Sequence, residues 1–101
     1  MFDGMQLRDF VEFSPDERIK KMLFEGEHFN IALICLDSGQ EIPVHPENYD
    51  VFFLVLSGKG IFAVEDRRID VREGSMIFSP AGRRGIAALE RLVVLGVQEP
   101  H

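Results

Sequence analysis

The amino-acid sequence predicts an all-β domain built as a sandwich or a barrel. The chain has 101 residues, which is the length of one domain, so we expect a single domain over residues 1–101. Its composition, 46% hydrophobic and 28% charged, is ordinary for a folded globular protein. Short apolar runs alternate with turn residues at close spacing along most of the chain, and this pattern is typical of sandwiches and barrels.

The first predicted element lies in residues 14–26, where two interpretations stay open. Ser14, Pro15 and Glu17 have the form of a helix start, and apolar residues at helical spacing follow, which would give a helix of about ten residues. The same segment also alternates as a strand would. We favour a turn followed by a strand, because tertiary context often overrides local propensity, and we allow for a short helical turn near the N-terminus.

Later apolar runs predict the remaining strands. Predominantly apolar runs occupy residues 29–36, 51–56, 76–78 and 92–97. Residues 61–65 and 68–72 flank Asp66 and Arg67, which predicts a hairpin. Runs that are apolar on both faces predict burial on both sides, by a second sheet or by a partner subunit.

The charge and cysteine content argue against several classes of partner. The formal net charge is −6, and an acidic surface repels phosphate backbones, so we expect no nucleic-acid partner. Cys35 is the only cysteine and lies in an apolar run, which predicts a buried thiol in a reducing compartment. No segment approaches the roughly 20 apolar residues of a membrane span, and nothing resembles a signal peptide. We therefore expect a cytoplasmic protein with no membrane partner.

Two glycine-containing segments resemble the two sequence motifs of the cupin superfamily. In the first, Gly39 is followed after five residues by His45, and Gly58 closes the motif. In the second, Gly74 is followed after five residues by Pro-Ala-Gly at residues 80–82. The resemblance covers residues 39–89 and implies a small single-domain cupin, whose fold is a double-stranded β-helix, or jelly-roll barrel. The implied domain has an N-terminal arm at residues 1–17 and a barrel at residues 18–98.

The resemblance also implies where a metal site would lie. Members of the family hold a divalent transition metal inside the barrel with two histidines and a glutamate from the first motif and one histidine from the second. Here the corresponding positions hold His45, Glu47, Val51 and either Gly85 or, with a one-residue gap, Arg84. We therefore expect no metal cofactor of the usual kind, with His45 and Glu47 as weak candidate ligands. A divalent transition metal held by an altered ligand set is the alternative.

Three functional hypotheses follow from this altered site. The first is a cupin that binds a small, anionic molecule in the barrel without a metal, with a guanidinium pairing to a carboxylate. The pocket candidates of this hypothesis are His45, Glu47, Val51, Phe53, Val55 and Arg84.

The second hypothesis is a metal-dependent oxygenase, isomerase or lyase that recruits Asp50 or His28, although strand parity turns Asp50 away from the inward side. The sequence does not decide between enzyme and non-enzyme, because His45 and Glu47 could also perform acid–base chemistry without a metal. The third is a structural or regulatory module whose nine phenylalanines fill the barrel and which acts through its interface. A homodimer is compatible with each hypothesis and is our default expectation.

Overall fold

The computed structural model describes residues 4–101, which consist largely of β-strands. In this range a 3₁₀ turn at Leu7–Phe10 precedes nine strands: β1 (Ile19–Glu25), β2 (Asn30–Leu36), β3 (Glu41–Glu47), β4 (Val51–Ser57), β5 (Lys59–Val64), β6 (Arg67–Arg72), β7 (Met76–Ser79), β8 (Gly82–Ala88) and β9 (Leu92–Gln98). A five-stranded sheet has the order β1-β2-β9-β4-β7, and a four-stranded sheet has the order β3-β8-β5-β6. All pairings are antiparallel, and consecutive strands change sheets repeatedly, as in a jelly roll.

The predicted all-β, jelly-roll fold is therefore confirmed. Among residues 4–101 no helix is long and apolar enough to cross a membrane.

Residues 14–26 form a bend followed by β1, so the turn-plus-strand interpretation is confirmed and the helix interpretation is wrong. The Ser14 hydroxyl accepts a hydrogen bond from the Asp16 backbone N–H at 3.2 Å, which closes the local turn. β1 then pairs with β2, and the interstrand hydrogen bonds outweigh the local helix signal. The short helical turn lies earlier, at Leu7–Phe10.

The hairpin between β5 and β6 turns one residue earlier than the sequence indicates. Val64 lies opposite Arg67, so Glu65 and Asp66 form the turn and Arg67 already belongs to β6. Glu65 has a φ of 55°, in the left-handed region. Glutamate rarely takes this conformation, which is why the sequence carried no signal for it.

The core lies between the two sheets and is built from alternate residues of their strands. Phe53 on β4 and Phe62 on β5 meet there with ring centroids 5.0 Å apart. Val51 and Val55 flank Phe53 on the same side of β4, and both are buried in this cluster. Burial of each such side chain stabilises the fold by about 1.5–3 kcal/mol, so the barrel has a continuous apolar core.

The N-terminal arm covers one half of the outer face of the five-stranded sheet. Phe10 and Phe13 of the arm pack in one cluster with Leu33, Cys35 and Val93 of the sheet. Because of this packing, a strand of the five-stranded sheet can be apolar on both faces, and the thiol of Cys35 is buried.

Another part of this outer face is not covered by any of residues 4–101, and we call it the open outer face. Phe29, Met76 and Phe78 are 44%, 51% and 70% exposed there. Phe29, Phe52 and Phe78 contribute to a shallow depression of about 360 Å³ on the same surface. Strands that are apolar on both faces therefore have two distinct explanations in the five-stranded sheet. Residues of the N-terminal arm cover one part of its outer face, and another part is an apolar surface that the described residues leave uncovered.

Among the motif glycines with a positive φ, Gly58 and Gly74 differ in their surroundings. Gly58 has a φ of 91° and Gly74 a φ of 87°, both in the left-handed region. A Cβ at Gly58 would also collide with the Arg91 carbonyl oxygen, whereas a Cβ at Gly74 would meet open space. Gly58 thus meets a conformational and a steric requirement, and Gly74 only the first.

Candidate functional site

A cavity of about 300 Å³ lies between the two sheets and opens to solvent. Its floor is apolar: Ile34 and Phe53 come from the five-stranded sheet, and Ile42 and Ile86 come from the four-stranded sheet. Polar side chains surround this floor, among them His45, Glu47, Tyr49, Arg84 and Gln98. An apolar concavity with a few convergent polar groups is the usual form of a small-molecule site.

A bulge in β3 turns His45 toward this cavity. Ile42 lies opposite Ile86 and His45 lies opposite Arg84, so β3 contains one residue more than β8 between these pairs. Opposite residues on antiparallel strands share a face, which puts His45 and Arg84 on the cavity side together. Gly85 accommodates the bulge, because a Cβ there would lie 2.9 Å from the Ile42 carbonyl oxygen. Of the two alignments of the second motif, the structure therefore supports the one that puts Arg84 at the histidine position.

His45 and Glu47 form a hydrogen-bonded pair at the cavity wall. His45 Nε2 lies 3.0 Å from Glu47 Oε1, and His45 Nδ1 lies 2.7 Å from the Pro43 carbonyl oxygen. A carbonyl can only accept, so Nδ1 carries a hydrogen, and Nε2 donates to the Glu47 carboxylate when the imidazole is protonated. Burial alone would raise the pKa of Glu47, but a hydrogen bond with Tyr49 and the positive charges of His45 and Arg84 lower it overall.

Tyr49 covers the guanidinium of Arg84. The Arg84 Cζ atom lies 4.9 Å from the centre of the Tyr49 ring, and the His101 ring stacks with the same tyrosine at 3.9 Å between centroids. Burial raises the pKa of the Tyr49 hydroxyl to about 12, with further contributions from the hydrogen bond and the negative charge of Glu47. Tyr49 therefore stays neutral at physiological pH and offers an aromatic face and a hydroxyl beside the cavity.

Arg84 is a buried cation with incomplete hydrogen bonding. Arg84 is 5% exposed, and its Nη2 donates a hydrogen bond to the Tyr49 carbonyl oxygen. Its Nε and Nη1 atoms have no hydrogen-bond partner among residues 4–101, and no carboxylate in that range lies within 4.0 Å of its nitrogens. Each buried donor left unpaired costs about 1–3 kcal/mol, so this arrangement is unfavourable unless an acceptor enters the cavity.

Gln98 adds a third unpaired donor. It is 5% exposed, it lines the same cavity, and its Nε2 atom also lacks a partner among the described residues. The unpaired nitrogens of Arg84 and Gln98 are all donors. Two residues that line the cavity thus carry buried donors that have no acceptor among residues 4–101.

The mouth of the cavity carries two further cations from β1 and the segment that leads into it. Arg18 and Lys20 both line the cavity and are exposed. Lys20 lies opposite Ile34, a floor residue, so its side chain starts on the cavity side of the sheet. Glu47 carries the one side-chain carboxylate among the described lining residues.

The donor set does not fit a tightly held transition metal. Among residues 4–101 no three histidine, cysteine, aspartate or glutamate side chains come close enough together to hold one. His45 and Glu47 supply two donors where three or four are usual, and the Arg84 guanidinium shares their cavity, where it would repel a cation. Asp50 and His28 line the depression on the outer face and not this cavity, so neither adds a ligand to His45 and Glu47.

The structure brings together four of the six side chains predicted to form the pocket, namely His45, Glu47, Phe53 and Arg84. Val51 and Val55 do not line the cavity, since core side chains cover them on the inner side of β4. Sequence reasoning missed Tyr49, Lys20 and Gln98. The sequence contained a usable signal for Tyr49, because His45, Glu47 and Tyr49 occupy every second position and would point to the same side of an extended chain. The positions of Lys20 and Gln98 depend on strand register.

Comparisons with known proteins agree with this architecture. The sequence model of the cupin domain family matches residues 32–84. An RmlC-like cupin protein from Desulfovibrio desulfuricans is 27% identical, with a TM-score of 0.89 over 99% of this chain and 98% of that chain. A conserved Streptococcus pyogenes protein of unknown function is 26% identical, with a TM-score of 0.84 over 98% of this chain and 88% of that chain.

A cupin superfamily protein from Desulfitobacterium hafniense shares the fold at 19% identity, with a TM-score of 0.85 over 100% of this chain and 94% of that chain. A search of curated proteins found no match.

Proposed function

The chain belongs to the cupin family, and on this premise we propose that it binds a small carboxylate-bearing molecule in its barrel cavity without a resident transition metal. The observation that carries the proposal is the set of unpaired, buried donors on Arg84 and Gln98, two residues that line a cavity whose described lining has one side-chain carboxylate. A carboxylate supplies several lone pairs at once, and charge-assisted hydrogen bonds to a guanidinium are among the strongest available.

The surroundings of Arg84 support an anion rather than a neutral acceptor. The guanidinium is always charged, and burial makes this charge costly in the ligand-free protein, where Glu47 acts on it across the cavity without forming an ion pair with it. A bound anion would supply the missing counter-charge and the missing acceptors together. The apolar floor formed by Ile34, Phe53 and Ile86 would then hold the hydrocarbon part of the same molecule.

The cavity itself supports ligand binding over a purely structural role. A barrel filled by its phenylalanines would leave no room, yet about 300 Å³ is open beside Phe53. This volume is at the lower end of the range usual for small-molecule sites, which favours a ligand of metabolite size.

The decisive experiment compares Arg84→Gln with Arg83→Gln. Both variants remove one positive charge from β8, but Arg83 is exposed and precedes the cavity residue. Short carboxylic acids and their neutral amides are titrated in parallel by calorimetry. We expect wild type and Arg83→Gln to bind acids and not amides, and Arg84→Gln to bind acids about 10- to 100-fold more weakly, since hydrogen bonds to charged groups contribute about 1.5–3 kcal/mol.

Two results would count against the proposal. Equal losses in the two variants would mean that only the overall charge matters. Elemental analysis provides the second criterion: a stoichiometric transition metal that is lost in His45→Ala would favour the metalloprotein alternative.

We also propose that the open outer face is the contact surface of a homodimer. Monomers rarely expose contiguous apolar patches of more than a few hundred Å², and a standard interface needs about 800 Å² per partner. Phe29, Met76 and Phe78 supply the most exposed part of such a patch, with Phe52 beside them. A twofold axis would allow the same patch on both copies to cover itself.

A further inference from the structure

We infer that the ligand carries two anionic groups, one received by Arg84 inside the cavity and the other by Lys20 and Arg18 at its mouth. This inference rests on the proposed function and extends it, because it specifies a small dicarboxylate rather than any acid. It depends on a different observation, namely the excess of cations around the cavity.

The charge balance of the cavity is opposite to that of the whole chain. The chain has 17 acidic and 11 basic side chains, yet those of the described cavity lining include three cations, Arg18, Lys20 and Arg84, and one carboxylate, that of Glu47. Glu47 is already paired with His45 at 3.0 Å. A concavity lined by one sign of charge focuses the field and attracts ions of the other sign.

The neighbouring lysines on β1 show that the cavity side differs from the outer side. Lys21 points to the outer side and forms an ion pair with Glu12 of the N-terminal arm, with Nζ and Oε1 2.9 Å apart. Lys20 points to the cavity side and has no carboxylate within 4.0 Å among residues 4–101. The lysine that faces the cavity is therefore the one that remains free to meet a ligand.

Arg18 is positioned across the mouth by the backbone of the other sheet. Its Nη1 donates to the Glu41 carbonyl oxygen at the start of β3, at 3.3 Å. This contact uses one of five N–H groups and does not neutralise the charge. The guanidinium of Arg18 and the ammonium of Lys20 line the mouth of the cavity that also contains Arg84, and we call these two cations the cationic rim.

We expect one carboxylate to pair either with Arg84 or with the cations at the mouth, Arg18 and Lys20, and not with both groups. A monoacid bound at Arg84 supplies the acceptors that Arg84 and Gln98 lack, and it leaves the rim without a counter-charge. A second carboxylate on the same molecule would reach the rim while the connecting methylenes cover the apolar floor. A ligand with all its charge on one carboxylate could serve only Arg84 or the rim.

The test uses pairs of acids with equal carbon number, butyrate against succinate and pentanoate against glutarate, together with inorganic phosphate. Calorimetric titrations at neutral pH compare wild type with Lys20→Gln and with Lys21→Gln as the control for charge on the same strand. We expect wild type to prefer each dicarboxylate over its monoacid. Lys20→Gln should weaken dicarboxylate binding about three- to fivefold and monoacid binding less than about twofold, as expected for a partly exposed ion pair. Lys21→Gln should leave both within about twofold.

The outcomes separate this inference from the proposed function. If the monoacids bind as tightly as the dicarboxylates and still depend on Arg84, the proposed function stands and the second anionic subsite is overturned. Equal effects of Lys20→Gln and Lys21→Gln, or an equal loss for phosphate and succinate in Lys20→Gln, would also overturn it. If no acid of either series binds, both the proposed function and the inference are wrong.

Discussion

Replacement of Arg84 by methionine should stabilise the ligand-free protein while it abolishes acid binding. Arginine at this position gains a charge-assisted hydrogen bond to the Tyr49 carbonyl and the contact with the Tyr49 ring, together about 2–4 kcal/mol. Against this stand two buried nitrogens without partners at about 1–3 kcal/mol each and the cost of a buried charge that forms no ion pair among residues 4–101. Methionine fills a similar volume with a flexible apolar chain.

We therefore expect ligand-free Arg84→Met to be about 1–2 kcal/mol more stable than wild type. In a domain of this length each kcal/mol raises Tm by about 4–8 °C. The variant should show no Tm increase with any acid that stabilises wild type, because binding to the native state is the source of that increase.

The assay is urea and thermal unfolding after each protein has been unfolded, dialysed and refolded, which removes any co-purified acid. Arg83→Met is the control, and as an exposed substitution it should change stability by less than about 0.5 kcal/mol. If Arg84→Met is instead destabilised by more than about 1 kcal/mol, Arg84 is a structural residue whose interactions are already satisfied, and the reasoning from unpaired donors fails.

Three further predictions concern the turn glycines, the His45–Glu47 pair and the proposed dimer surface. Gly58→Ala should be destabilised by at least about 2 kcal/mol more than Gly74→Ala in urea unfolding, because both positions need a positive φ but only Gly58 faces a backbone collision; equal losses would show that conformation alone matters. The pKa of Glu47 is lowered below 4.5 in the fold, so its contribution to stability is present above the unfolded-state pKa and lost as pH falls through the folded-state pKa. Glu47→Gln should consequently lose less stability than wild type between about pH 6 and about pH 3, and an unchanged pH profile would contradict the pKa assignment. Phe78→Ser should shift the equilibrium from dimer toward monomer in sedimentation experiments. Leu89 is 60% exposed and lies outside the open outer face, so Leu89→Ser should cause no such shift. A monomeric wild type would disprove the dimer.

The fold could be predicted because its signals are local. Turn glycines such as Gly39, Gly58 and Gly74 mark the ends of apolar runs, and left-handed φ values at all three explain why glycine stands there. The ordered pair of motifs then fixed the architecture. The helix signal at Ser14 misleads, because a local hydrogen bond from Asp16 serves a turn as well as it serves a helix start.

The candidate site was predicted only in part because it depends on register. The bulge in β3 decides that His45 faces Arg84, and its sequence signal, Pro43, is ambiguous because proline occurs in edge strands as well as at bulges. Gln98 enters the cavity as the cross-strand partner of Val51, and Lys20 enters it as the partner of Ile34. Neither pairing can be obtained from spacing along one strand, since a shift of one residue reverses every side chain.

Under the proposed function, Arg84 attracts an anion to the cavity without a metal. The resemblance places a metal-ligating histidine where Arg84 stands, opposite His45 on the inner face of the four-stranded sheet. A guanidinium at this point supplies a permanent positive charge and directional donors, and neither depends on metal supply or pH. A guanidinium forms no coordinate bonds to the ligand, so the affinity has to come from the number of cavity cations with which the ligand pairs. In a cavity with a cationic rim at Arg18 and Lys20, a second carboxylate is the feature that would give a metabolite an advantage over the abundant monoacids of the cell.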